Sequence, residues 1–184
     1  MVQAAAAIAV RDGLEKVTAK AVAAAIGVFP GLISHYFTAD QLVAAAFAHA
    51  ASAEADAIFD EITALPEPAD QVRHLLVSCL NPGQDPISLL WLDAWQASRH
   101  RPALHAEVTA LMAKDIERLT AIIQAGADQG QFTCADPAVA ANQIYNVIDG
   151  LSVESAVRGT LDYTHGQALI AVVTEKILGV RLLT

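Results

Sequence analysis

Aromatic residues make up only 5% of this 184-residue chain, so each large ring is worth locating. Cysteine is scarcer. Cys79 and Cys134 are the only two, and neither sits in a CxxC pair or beside paired histidines. That pattern gives little support to a zinc site or a disulfide-stapled secreted fold, and a cytoplasmic location is expected. Positive charge is short as well: 11 Lys and Arg stand against 20 Asp and Glu, for a net charge of −9. Such a balance is wrong for a protein coated in nucleic acid. No apolar run reaches the ~18 residues of a membrane span, so no membrane partner is expected. The opening MVQAAAAIAVRDG has no basic start and ends in charge, unlike a signal peptide. The six histidines form no HxxxH or HExxH, and His100 and His105 are five apart across Pro102, a poor metal spacing. GxSxG, P-loop and GxGxxG motifs are missing, and the carboxylates are scattered. Neither a metal, a cofactor, a catalytic residue nor an enzyme is expected.

What is present is helix-forming material. The chain is 54% hydrophobic with a mean hydropathy of +0.40, and much of that is alanine, which favours helix and close helix packing. Period-two alternation is scarce, so an all-α fold is expected, with nine helices. The first covers Val2–Arg11, with Gly13 just past its end. Thr18 is placed to cap the second, Ala19–Ala25. Pro30 suits the first turn of the third. Thr38 with Gln41 three residues on forms a capping box for a long fourth helix, running to about Ala64. Pro66 and Pro68 then break the chain. A fifth helix spans Ala69–Leu80 and stops at Asn81-Pro82-Gly83. A sixth starts at Asp85-Pro86 and ends at Ser98. A seventh starts at Arg101-Pro102 and reaches about Asp128, with Gly130 as its stop. Asp136-Pro137 caps an eighth, to about Arg158. After Gly159 and a short loop, Thr164 caps a ninth, to Leu178.

The most specific segment is AKAVAAAIGVFPGLISHYF, residues 19–37. It reads as a short helix, a tight turn at Ile26-Gly27-Val28, and a second short helix ending on aromatics. Gly27 permits the turn. Ile33 and Phe37 are spaced to pack back onto Val22 and Ile26. This is a helix-turn-helix, whose usual work is to set a helix into the DNA major groove. The side chains facing away from the anchors are Phe29, Pro30, Leu32, Ser34 and His35, with Gly31 between them. Leu32 can touch a thymine methyl and Ser34 a base edge or phosphate. There is no Arg, Asn or Gln to read a base through paired hydrogen bonds, so DNA shape and apolar contact share the work. Residues 1–50 hold Arg11, Lys16 and Lys20 against Asp12, Glu15 and Asp40, so the acidity lies elsewhere. Three cations are few. Binding per protomer should be weak and salt-sensitive, and a dimer would reinforce it. The bland alternative is a helical hairpin with no DNA role.

GVFPGLISHYF, preceded by VTAKAVAAAI and followed by a long helix, resembles the N-terminal domain of TetR-family transcriptional regulators. Its GLISHYF run is most similar to the BetI-like branch. The later segments WLDAWQASRHRPALH, QGQF, the DPxxxA cap and IDGL fit the same family. The resemblance implies a homodimer of nine-helix subunits, with residues 1–43 binding DNA and residues 44–184 binding a ligand and the partner. It places Tyr36, Thr18 and Lys20 for phosphate contact. Family members usually carry a basic arm before the first helix; here only Met1 precedes Val2. They also tend to have Lys after the HYF run, where this sequence has Thr38-Ala39-Asp40-Gln41, so a customary phosphate contact is missing.

For the effector, Trp91 and Trp95 lie i and i+4, with Tyr145 in the eighth helix and Phe59 late in the fourth. Aromatic walls with a few polar groups suit a ligand pocket. Asp93 and Asp115 could add charge, and Asn142, Asn146 and Asp149 form a polar stripe at helical spacing. A Trp pair with carboxylates can hold a cation. Ordinary core aromatics are the alternative. Ala140, Ile144, Val147, Ile148, Leu151 and Ala156 of the eighth helix, with Leu169, Val172, Val173, Ile177 and Leu178 of the ninth, are apolar over a broad face. Gly150 would allow close helix approach. These residues suit either a monomer core or, on the family resemblance, a two-fold four-helix interface. The expected function is a ligand-responsive DNA-binding regulator, a repressor released from its operator by a small molecule. The alternative is a small-molecule-binding helical dimer with weak or lost DNA binding.

Overall fold

The computed structural model describes residues 1–158 and 162–181. Among these residues there are nine α-helices and no strand, as the composition implies. They are α1 (Val2–Asp12), α2 (Ala19–Ile26), α3 (Pro30–Tyr36), α4 (Ala39–Thr63), α5 (Pro68–Cys79), α6 (Asp85–Ser98), α7 (Pro102–Asp128), α8 (Pro137–Arg158) and α9 (Tyr163–Leu178). Short 3-10 turns at Leu14–Lys16 and Pro82–Gln84 complete the order.

Side-chain caps set the starts of α2, α4, α8 and α9. Thr18 Oγ1 accepts from Ala21 N at 3.1 Å, satisfying an orphan donor at the head of α2. Thr38 and Gln41 close a reciprocal capping box, with bonds of 3.0 and 3.2 Å. Asp136 Oδ1 accepts from both Ala138 N and Val139 N at the head of α8. The last helix departs from the sequence reading. Its cap is Asp162, whose Oδ1 accepts from Thr164 N at 2.9 Å, so Thr164 supplies a backbone donor rather than the cap. A carboxylate accepts better than a hydroxyl, and that bond holds the Asp162 carboxyl below the usual carboxylate range. Gly159 lies outside the described residues.

The chain forms two compact units, each assembled from separated stretches. The first comprises Met1–Glu54 and Pro86–Met112. Its core holds Ile8, Leu14, Val22, Ile33, Leu42, Phe47, Leu90 and Leu104. Phe47 meets Trp91 edge-to-face, with centroids 4.8 Å apart at 88°. Two carboxylates tie its backbone together. Asp93 accepts from Leu14 N at 3.3 Å, and Asp40 Oδ2 accepts from Ala103 N at 3.0 Å at the head of α7.

The second unit comprises Ala55–Asp85 and Ala113–Thr184. Its core holds Phe59, Ile62, Leu75, Leu119, Ile123, Phe132, Ile144, Ile148 and Ile170. The QGQF segment is structural here. A side-chain carbon on Gly126 would sit 2.2 Å from the Phe132 ring, so only glycine lets that ring lie against α7. Gln131 Oε1 accepts from Ala69 N at 3.1 Å, and its Nε2 donates to Glu67 Oε2 at 2.6 Å, which secures the start of α5.

By length and composition α4 could cross a membrane, although no uninterrupted apolar run is that long. Its large apolar residues pack inside the protein: Leu42 and Phe47 in the first core, Phe59 and Ile62 in the second.

Candidate nucleic-acid interface and effector site

The α2–α3 pair is built around one left-handed residue. Gly27 has φ 72°, which an L side chain adopts only with strain. That geometry lets Val28 N bond Ala23 O at 3.0 Å and turns α3 back onto α2. Ile33 is fully buried with Val22 and Ala23, and Phe37 packs against the same core. Ile26 does not join them. It ends α2 and stays exposed, because the turn seats α3 on the preceding turn of α2, at Val22 and Ala23.

The opposite face is open to solvent. Phe29, Pro30, Gly31, Leu32, Ser34, His35 and Tyr36 are all exposed, as are Thr18 and Lys20. Phe29 is 86% exposed, which is unusual for so large an apolar side chain in a single folded chain. His35 and Tyr36 meet edge-on, with ring centroids 5.1 Å apart. Cations are few and mostly engaged: Arg11 pairs with Asp12, and Lys16 with Glu15. Lys20 makes no ion pair among the described residues. Asp40, at the position where a phosphate-binding lysine is customary, instead points its carboxylate at the α7 backbone.

In the second unit, one charged cluster gathers several of the residues expected to hold an effector. The Arg118 guanidinium stands 4.9 Å from the centroid of the Phe59 ring. Arg118 and Lys114 both donate to Asp56 Oδ1, and those bonds, Arg118's first, hold the Asp56 carboxyl below its usual range. Asp115 is treated differently. Its side chain is only 14% exposed and lies 3.9 Å from Arg118, too far for a hydrogen bond. Burial pushes it up to about 6 against the opposing pull of Arg118 and Lys114. Burial also pushes Asp149 up to about 6, and the charge of Asp115 adds to that. Asp115 Oδ1 and Arg118 Nη1 are buried with no hydrogen-bond partner. Tyr145 packs against the core of this unit.

The predicted polar stripe of α8 splits. Asp149 is turned inward, whereas Asn142 and Asn146 face solvent, and Asn142 Nδ2 donates to Ala138 O. Trp91 and Trp95 belong to the first unit, packed on its core, and Trp95 Nε1 is buried without a partner. Asp93, read as a source of pocket charge, is spent on the Leu14 backbone. Arg118 and Asp56 escaped the sequence reading. Asp115 and Arg118 are i and i+3 on α7, a visible signal, but nothing in the sequence points to Asp56.

The apolar faces of α8 and α9 also divide. Ala140, Ile144, Ile148 and Leu178, counted toward a partner surface, are buried in the chain's own core. Leu169 and Val172 remain 51% and 44% exposed, and Val139 and Val157 of α8 remain 51% and 61% exposed.

Comparison with known proteins matches this arrangement. Residues 68–179 match the family model of the BetI-type transcriptional repressor, C-terminal domain. A TetR-family transcriptional regulator from Rhodococcus sp. superposes with a TM-score of 0.82 at 19% identity, over 96% of this chain and 95% of that one. A transcriptional regulator from Pseudomonas aeruginosa PAO1 gives 0.81 at 20% identity, over 97% and 88%. A transcriptional regulator from Saccharomonospora viridis, solved with choline, gives 0.80 at 19% identity, over 95% and 93%. No curated protein matches the sequence. With a helix-turn-helix at one end and a BetI-type C-terminal region over most of the remainder, the chain belongs to the TetR family of transcriptional regulators, which are transcription factors rather than enzymes.

Proposed function

We propose that this protein is a homodimeric, cytoplasmic repressor that a small molecule releases from its operator. Residues 1–43 carry the DNA contacts and residues 44–184 bind the effector and the second subunit. The observation that carries the reading is the two-sidedness of α3. Ile33 is fully buried, while Phe29, Leu32, Ser34, His35 and Tyr36 stand in solvent. That is the arrangement a recognition helix needs in a major groove, and two copies on a two-fold axis would read half-sites about 34 Å apart. Thr18 spends its Oγ1 lone pair on the α2 cap but keeps its proton for a phosphate oxygen, and Lys20 adds a cation. Val139, Val157, Leu169 and Val172 are the exposed large apolar residues of α8 and α9, and they suit a partner subunit.

The effector site we favour is built on Phe59, Asp115, Tyr145 and Asp149 of the second unit; Trp91 and Trp95 of the first unit are a separate candidate. Arg118 Nη2 donates to Asp56, which offsets much of its charge. Two largely buried carboxyls that feel each other's charge favour a ligand bearing positive charge or several donors. A transcriptional regulator of this fold from Saccharomonospora viridis was solved in complex with choline, a cation, which supports this reading. α4 contributes residues to both units, so a ligand that prefers one placement of α4 would alter the spacing of the two α3 helices.

A mobility-shift assay with promoter DNA from beside its own gene tests the reading. The full-length dimer should retard that DNA specifically at about 50 mM salt. Loss of specific retardation under those conditions favours the second reading, an effector-binding dimer with weak or lost DNA binding, which the shortage of unpaired cations supports.

A further inference from the structure

We propose that the operator is read chiefly through thymine 5-methyl groups, with Leu32 and Phe29 as the side chains that feel them. The inference rests on DNA binding by α3 and specifies which base feature is read.

The argument begins with what the reading face lacks. Between Val28 and Phe37 there is no Arg, Lys, Asn or Gln. The polar groups offered are a hydroxyl at Ser34, an imidazole at His35 and a phenol at Tyr36, and His35 and Tyr36 already meet edge to edge. None of these spans two polar atoms of one base edge. The bidentate pairings that single out guanine or adenine are therefore closed to this helix. Leu32 and Tyr36 lie i and i+4 on α3, and Phe29 is the extended residue just before its first turn. Phe29 is 86% exposed and Leu32 41% exposed.

In the major groove, guanine presents acceptors, cytosine a donor, and adenine one of each. Thymine alone adds a methyl group. An apolar side chain pressed on the first three strips water from polar atoms and returns no hydrogen bond, which is unfavourable. Pressed on thymine, it buries apolar surface on both sides. Exposed Leu32 and Phe29 side chains therefore select thymine by attraction and reject the other bases by desolvation. The scarcity of free cations sharpens this. With little phosphate attraction available, a larger share of binding must come from base contacts.

The test uses duplexes selected from a randomised pool by the full-length protein. Each dT of the selected site is replaced in turn by dU, which removes one methyl and leaves pairing and phosphates unchanged. At contacted positions, each replacement should weaken binding about fourfold, the worth of one buried methyl. In Leu32→Ala and Phe29→Ala the same replacements should cost almost nothing, each variant being blind to its own position. Both side chains are exposed, so both variants should keep the wild-type circular dichroism and melting temperature. Sequence-specific binding that is indifferent to dU at every position would overturn the inference and leave DNA binding standing. A dU penalty that persists in both variants would overturn the assignment to Leu32 and Phe29. A pool that yields no enriched sequence and no specific retardation would remove the DNA-binding reading and this inference with it.

Discussion

Replacing Asp40 should destabilise the protein. The carboxylate of Asp40 accepts from Ala103 N at 3.0 Å. Ala103 is the second residue of α7, whose first-turn N–H groups have no intrahelical partner, and Pro102 before it has no N–H at all. Asp40 thus does for α7 what a capping residue does, but from a distant stretch of chain. Loss of such an acceptor costs about 1 kcal/mol, within a range of roughly 0.5–2. Asp40 is also the second residue of α4, where negative charge meets the positive end of the helix, a further roughly 0.3–1 kcal/mol. Asp40→Ala should therefore lose about 1–2 kcal/mol, and Asp40→Lys, which reverses the charge as well, about 2–3 kcal/mol. Asp40→Asn keeps an acceptor and should lose less than about 1 kcal/mol. Urea unfolding at fixed protein concentration reads these as shifts in midpoint at unchanged slope. Should Asp40→Ala unfold at the wild-type midpoint, the cross-chain cap contributes nothing and this account of the acidic residue fails. The order Asn, Ala, Lys is a further check. If Lys proved the most stable of the three, Asp40 would be an electrostatic defect of a phosphate site and not a structural acceptor.

Gly126→Ala should destabilise the second unit by roughly 1–2 kcal/mol, because the clash with the Phe132 ring outweighs the helix propensity gained; differential scanning calorimetry reads it, and a raised melting temperature would refute the packing argument. Burial raises the carboxyl of Asp149 to about 6, above its unfolded value, so its ionisation opposes folding and stability falls as pH rises through that range. Asp149→Asn should therefore gain on the order of 1–2 kcal/mol at pH 8 and nothing near pH 3.5, as read by melting temperature against pH; equal gains at both pH values would show that burial of charge is not the cause. Lys20→Ala should weaken every DNA sequence alike and flatten the plot of log K against log salt by about 0.9 per protomer, and an unchanged slope would remove Lys20 from the phosphate contacts. Leu169→Asp with Val172→Asp should give a folded monomer by light scattering, and a dimer that survives both changes would place the partner surface elsewhere.

The secondary structure was legible because its signals are local. Thr18, the Thr38–Gln41 box and Asp136-Pro137 cap their own helices, and a cap needs only its neighbours along the chain. The ninth helix shows how narrow the margin is: Thr164 and Asp162 both had capping chemistry, and the choice fell to the carboxylate two residues earlier. The helix-turn-helix was legible for the same reason, since Gly27, Val22 and Ile33 lie within one short segment.

The composition and the spacing of turns and caps by themselves determined an all-α chain of nine helices with a two-faced α3. Only the tertiary structure decided which apolar residues of α8 and α9 serve the chain's own core, because Ile144 and Leu169 look alike in a pattern and differ only in what packs on them. The same holds for charge. Asp40, Asp93 and Asp115 are chemically identical, yet one holds the head of α7, one holds Leu14, and one lies against Arg118 beyond hydrogen-bond reach. A carboxylate's role depends on the donors and solvent within a few ångströms of it, and those come from stretches far away in the chain.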